Sequence, residues 1–281
     1  LLTTIVIDLE DALGDIQVEE GIKQLEKTIE ILDQAIQSNV VQEEQLPLIF
    51  VRVRGPEQLQ EIIQCLGERQ HILTGYVLPK FTEDNGRTYL ELIEQQNRLG
   101  FKLYAMPILE SAEVFYKENR MDNLLAIRAL LTEYIDYVLN VRIGSTDLSG
   151  LVGVRRTIHH TIYDLQAVRD CITDILNVFL RESPQFTVSG SVWEYFGECA
   201  DGISTATQGL LREVELDRLN GLIGKTIIHP THIDAVNSMY VVSHEEYMDA
   251  LKIISHADGY NGVLKSDYGN KMNEMKPHYN W

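Results

Sequence analysis

Seven short apolar runs in this chain each close on side chains able to hold a cation, an anion or a proton. TIVIDLED (Thr4–Asp11) closes on Asp8, Glu10 and Asp11, LIFVRVRG (Leu48–Gly55) on Arg52 and Arg54, and GYVLPK (Gly75–Lys80) on Lys80. LYAMPILES (Leu103–Ser111) carries Glu110, YVLNVRIGSTD (Tyr137–Asp147) carries Asp147, FTVSGSVWE (Phe186–Glu194) ends on Glu194, and GKTIIHP (Gly224–Pro230) holds His229. Carboxylates converging beside arginines suit a hard, oxygen-seeking cation together with an anionic substrate. Mg2+ takes one or two carboxylates and leaves the rest of its octahedron to water and substrate. Glu110 and Asp147 are the candidate ligands. Taken alone, each acid also reads as a helix N-cap or a salt-bridge partner; recurrence at the strand ends is what favours a site. Asp8, Glu10 and Asp11 add weight, because three acids in four residues at a buried strand end are costly without counter-charge.

Among the bases, Arg52 is assigned to the mouth of the site. Arg155 and Arg156, in the loop after Asp147, read either as a bidentate clamp for a carboxylate or phosphate or as a solvated pair. Lys80 reads as a substrate contact or as a solvated strand-end lysine, and His229 completes the candidate substrate-binding set. His159 and His160 are adjacent, so their side chains diverge and no zinc site is expected. There is no G-x-S-x-G, P-loop or G-x-G-x-x-G sequence, so hydrolase, nucleotide-triphosphatase and dehydrogenase readings lack support.

The elements that must position these residues follow from the spacing. Between the apolar runs lie amphipathic helical patterns: Ile22, Leu25, Ile29, Leu32 and Ile36 form one stripe, and PEQLQEIIQCLG opens on Pro56 and stops at Gly67. Further helices are expected at 88–99, 112–134, 161–181 and 210–219, and Ser243 with Glu246 marks a capping box. Strand and helix alternate throughout, which predicts an α/β fold with parallel strands and the chemistry at their C-terminal rim, as in a TIM-type (β/α)8 barrel. Seven strands are visible, so the eighth lies before Leu1 or the sheet is open and doubly wound. The chain begins in a strand without Met, and we expect it to be the ordered part of a longer protein. The expected division is a barrel over 1–257 and a C-terminal lid or subunit-exchanged tail over 258–281.

With 24 basic against 42 acidic residues the net charge is −18, which repels a phosphate backbone and argues against nucleic acid as a partner. An anionic substrate must then be drawn in by a local arginine cluster. Cys65, Cys171 and Cys199 are odd in number and far apart, which suits a reducing cytoplasm. No run approaches the roughly 20 apolar residues of a membrane span.

The pieces IDLEDALGD, VRVRG, GYVLPK, PILES, IGSTDLSGLVG and GKTIIHPTHIDAVN resemble, in order, the citrate lyase β-subunit-like aldolases, the HpcH/HpaI family. The wording VLPKF, NVRIGSTD, SGSVWEYF and NKMNEMKPH is similar to a bacterial branch associated with tellurite and stress resistance loci. The resemblance implies a TIM-type barrel, a homo-oligomer (trimer or hexamer), and Mg2+-assisted making or breaking of a carbon–carbon bond beside a keto acid or acyl thioester. It implies Glu110 and Asp147 as metal ligands, Arg52 on the substrate carboxylate or enolate, and Asp8, Glu10 and Asp11 ordering water on the metal. It places the first barrel strand before the D-x-E-D motif and suggests that Glu274, in Met272-Asn273-Glu274, lends an acid to a neighbouring subunit. The chain departs from the family at Thr146, where an acid is usual, and in its added arginines, which point to a more heavily anionic ligand. The expected function is a Mg2+-dependent carbon–carbon lyase acting through an enolate. The alternatives are a non-catalytic ligand-binding or scaffold subunit of a stress-response assembly and phosphoryl chemistry on an enolpyruvate-type substrate.

Overall fold

Runs such as LIFVR, GYVL and YAMPIL are apolar on both faces, which is the pattern of parallel strands covered by helices. The computed structural model describes residues 4–11, 14, 17–197, 203–256 and 261–281; Cys199 and the start of the expected tail at 258 lie outside them. The described residues form two compact units, Leu1–Val236 and Asn237–Trp281.

In the first unit β1 (Thr4–Asp8), β2 (Leu48–Arg52), β3 (Gly75–Leu78), β4 (Tyr104–Leu109), β5 (Val141–Ile143) and β6 (Val188–Ser189) lie side by side in chain order. All five pairings are parallel, with Asp8 opposite Arg52 and Ile108 opposite Arg142. The sheet curls as part of a TIM-type barrel. Its outer side carries α1 (Val18–Gln37), α2 (Pro56–Leu66), α3 (Glu83–Arg98), α4 (Ala112–Phe115), α5 (Arg120–Glu133), α6 (Ser145–Gly150), α7 (Gln166–Phe179) and α8 (Thr205–Leu219). Val51, Tyr76, Leu78, Ala105, Val141 and Ile143 face those helices in the main core, while Phe50, Val77, Met106 and Ile108 form a separate inner cluster. That two-sided burial follows from the period-2 alternation of each strand.

The helices form largely where their stripes place them, with instructive shifts. On α1, Ile22, Leu25 and Ile29 are buried. Pro56 begins α2, and Gly67 ends it with φ at +53°. Helix α3 starts at Glu83 rather than 88, because Thr82 and Asn85 cap it reciprocally and an Asn stands where the usual signature has Glu or Gln. The helix expected over 112–134 breaks into α4 and α5, since Arg120 turns back to donate to the Phe115 carbonyl (Nε–O 2.9 Å) and pairs with Asp170 and Asp174 of α7. GKTIIHP is not a full strand: only Lys225 bridges the sheet, at Gly190, and Gly224 has φ of +84°, which breaks the extended backbone.

In the second unit α9 (His244–Ser255) packs with a hairpin of β7 (Val263–Lys265) and β8 (Met272–Glu274). Asp249 ties them together, accepting from Asn273 Nδ2 at 2.8 Å and pairing with Lys271 Nζ at 2.9 Å. These bonds hold the Asp249 carboxyl down at about 2, with Lys271 the leading cause. The polar tail is therefore ordered by its own helix, a contact between residues 24 apart in sequence that no local pattern announces. No helix among the described residues is long and apolar enough to cross a membrane.

Candidate active site

The C-terminal ends of β1 to β5 bring five carboxylates and three bases to one rim. Asp8 and Arg52, opposed in the β1–β2 register, form a bidentate pair with Nε–Oδ1 at 2.8 Å and Nη2–Oδ2 at 2.6 Å. The remaining nitrogen, Nη1, is shared by Glu10 Oε2 at 3.1 Å and Asp11 Oδ2 at 3.2 Å. Burial alone lowers the basicity of the Arg52 guanidinium, but the bonds from Asp8 and the charges of Glu10 and Asp11 more than reverse this. Residues i and i+2 share a strand face, yet β2 ends at Arg52, and this frees Arg54 to turn and donate to the Leu9 and Glu10 carbonyls at 3.0 and 3.1 Å. Arg54 therefore shapes the acidic loop.

Lys80 adopts a left-handed backbone, φ +47°, unusual outside glycine. That turn sends its N–H to Glu110 Oε1 at 2.8 Å and its Nζ to Glu10 Oε1 at 2.5 Å. Burial pushes Glu10 above its ordinary range, with Lys80 and Arg52 opposing.

Glu110 follows β4 and is almost wholly buried, 4% exposed. Burial, with the charge of Asp147 adding to it, pushes its carboxyl up to about 7, against the pull of the Lys80 amide. Asp147 sits half-buried in the first turn of α6, and its carboxylate has no hydrogen-bond partner among the described residues. Two neighbouring carboxylates, one buried, repel each other, with Lys80 opposing that repulsion; a hard divalent ion would relieve it further. Among the described residues no three Asp, Glu, His or Cys side chains converge as a metal cluster; a site built on the Glu110–Asp147 pair would leave most positions to water and substrate, which suits Mg2+ and not Zn2+. Glycine at 144 makes room for it: a Cβ there would lie 2.0 Å from Glu110 Oε2 and 2.5 Å from its Cβ. Gly144→Ala is accordingly expected to displace Glu110 and cost about 1–3 kcal/mol. Gly150→Ala, with open space around it, should be neutral or stabilising; melting curves of the two variants without metal make the comparison.

The other sequence candidates have other partners. Arg156 is buried in a closed ion network: its Nε donates to Glu194 at 2.7 Å, and its other nitrogens bond Glu213 and the Val192 carbonyl. Its guanidinium also stacks 4.9 Å over Trp193. Lys225 joins the same network through Glu213 at 2.9 Å and Asp217 at 2.8 Å. Arg156 is thus spent on the fold and forms no clamp with Arg155, which is exposed. His229 stacks on Phe196, ring centroids 4.4 Å apart, and bonds Thr231. Glu274 lies half-buried on β8 in the second unit, its amide donating to His278.

One residue escaped the sequence reading. Arg142 stands mid-strand on β5, between Val141 and Ile143 of the outer core, and so faces inward. The alternation V-R-I was the available signal.

The full chain, residues 1–281, matches the family described as C-C_Bond_Lyase of the TIM-Barrel fold. The chain belongs to that C–C bond lyase family. None of the curated proteins matches it. Among solved structures, RipC from Yersinia pestis shares 17% identity, with 87% of this chain and 91% of that one covered and a TM-score of 0.58. CitE from Mycobacterium tuberculosis, in complex with magnesium, acetoacetate and coenzyme A, shares 17%, covering 99% and 86%, with a TM-score of 0.62. The magnesium/glyoxylate complex of Haloferax volcanii malate synthase shares 15%, covering 92% and 76%, with a TM-score of 0.57. At these identities the likeness is one of fold, and it agrees with the C–C bond lyase family and the TIM-type strand order.

Proposed function

We propose that this protein is a Mg2+-dependent carbon–carbon bond lyase acting on an α-keto acid or acyl-thioester-type anion through an enolate. The observation that carries it is the Glu110–Asp147 pair on a rim whose Glu10 also pairs with Arg52, in a chain of the C–C bond lyase family. CitE with magnesium, acetoacetate and coenzyme A, and malate synthase with magnesium and glyoxylate, support the choice of ion and ligand class.

Glu110 and Asp147 are the residues to hold the ion, which when bound supplies a Lewis acid for the keto oxygen. Arg52 answers the negative charge that develops on the substrate as the bond breaks, and its preorganisation comes from Asp8, Glu10 and Asp11. Asp8 holds Nε and Nη2, so the substrate competes with Glu10 and Asp11 for Nη1. Lys80, still 55% exposed in its side chain, keeps Glu10 in place and adds a positive charge at the entrance.

A crystal soaked with Mg2+ and oxalate, a planar mimic of the pyruvate enolate, tests the site: density is expected between Glu110, Asp147 and Arg52, and density anywhere else removes the assignment. Arg52→Lys is expected to cut turnover by roughly 100-fold or more, since a point charge cannot reproduce the fork. A screen of keto acids and acyl thioesters supplies the assay. Turnover of the variant within a fewfold of wild type would separate Arg52 from the chemistry.

A further inference from the structure

The left-handed turn at Lys80 is held from three sides. The Lys80 amide donates to Glu110 Oε1 at 2.8 Å, the Phe81 amide donates to the Ile108 carbonyl at 3.1 Å, and the Lys80 carbonyl accepts from Asn85 Nδ2 at 3.0 Å. A residue with a Cβ reaches φ of +47° only at a cost in free energy, and such strain persists where the surroundings over-determine it. Its consequence is the aim of one N–H. Rotating Lys80 into the right-handed region would turn the peptide units on either side of it relative to each other, so its amide could not keep Glu110 while the Phe81 amide keeps Ile108.

Asn85 stands at the third position of α3, where the usual capping box has Glu or Gln. What lies on either side of its amide accounts for the difference. Oδ1 accepts from the Thr82 N–H at 2.9 Å while Nδ2 donates to the Lys80 carbonyl, and because both partners are backbone groups of fixed polarity, the amide sits only one way round. A carboxylate at this position would keep the cap but repel the Lys80 carbonyl. Capping alone therefore does not call for Asn, whereas holding the Lys80 turn does.

We propose that Asn85 is a positioning residue for the metal site: it locks the Lys80 turn, and the turn aims the backbone N–H that orients the Glu110 carboxylate. This rests on the metal reading above and adds the route by which α3 reaches the end of β4. Groups that orient a metal ligand from outside its coordination shell matter strongly, and their loss typically costs about 10–100-fold in affinity.

Three measurements on the full chain test it. Asn85→Asp keeps the acceptor for Thr82 but turns an oxygen toward the Lys80 carbonyl, while Asn85→Ala removes both contacts without adding charge and leaves the Thr82 hydroxyl to cap the residue-85 N–H. In metal-free protein both variants should speed hydrogen exchange at the Lys80 amide by about tenfold or more. By calorimetry both should bind Mg2+ about tenfold or more weakly than wild type. Should one variant not fold, the other carries these two measurements. The third is a double-mutant cycle. Glycine reaches φ of +47° without strain, so on a Lys80→Gly background Asn85→Ala should cost less than about threefold in Mg2+ affinity, and the comparison cancels the charge lost at Lys80. Unchanged exchange, unchanged Mg2+ affinity, or the same tenfold loss on the glycine background overturns the role of Asn85 and leaves the metal reading standing. A wild type that binds no Mg2+ overturns both.

Discussion

Glu110→Gln is expected to lower Mg2+ affinity by roughly 100-fold or more, because loss of an outer partner of a metal ligand already costs about 10–100-fold and this change removes a ligand charge itself. The pH dependence gives the sharper test. Burial and Asp147 push the Glu110 carboxyl up to about 7, so protons compete with the cation below that pH. Apparent Mg2+ affinity of wild type should fall about tenfold per unit as pH drops below 7 and level off above it. In the metal-free protein the sign runs through folding. A carboxyl whose folded pKa lies above its ordinary 4.5 contributes stability that is fully present below that value and lost as pH rises through about 7. The span corresponds to roughly 3 kcal/mol. Glu110→Gln should flatten both profiles while melting near wild type at pH 5. Isothermal calorimetry across pH 5.5 to 8 and melts in chelator are the measurements; equal Mg2+ binding by wild type and variant would leave Glu110 as a structural acid.

The second large effect lies away from the rim. Arg156→Met should destabilise the first unit by about 3–5 kcal/mol, because it leaves Glu213, whose side chain is fully buried, and Glu194 without their shared cation. Lys225 remains on Glu213 but is shared with Asp217, so it cannot neutralise both acids and replace the lost fork. At about 2–4 °C per kcal/mol for a domain of this size, the melting temperature should drop by roughly 6–20 °C. Arg155→Met is the matched control, since Arg155 is exposed and surface changes stay within about 0.5 kcal/mol. Equal melting of the two variants would show that the network contributes nothing net to the fold.

Much of this protein is written locally. Short apolar runs with acids at their ends, the Pro56 start and Gly67 stop of α2, and the Ser243–Glu246 capping box all act within a few residues, through backbone sterics and side-chain caps that sequence spacing expresses directly. The alternation of strands and helices, and with it the TIM-type parallel order, follows from the same local rules. Partner choice among charged side chains does not. Arg52 and Arg156 look equally free as sequence, yet one meets Asp8 across the β1–β2 register and the other is enclosed by acids 38 and 57 residues away. Arg142 reads as a polar interruption of a strand until the curl of the sheet turns its side of β5 inward, where Glu110 and Asp8 act on its charge and Thr226 accepts from its Nη2. Lys225 shortens the strand expected around it because Glu213 and Asp217 hold its side chain and Gly224 turns its backbone. Local sequence determines which elements form because their energies come from neighbours along the chain. Which charges are neutralised, and by which partners, depends on desolvation and Coulomb terms that exist only once distant strands and helices are packed together.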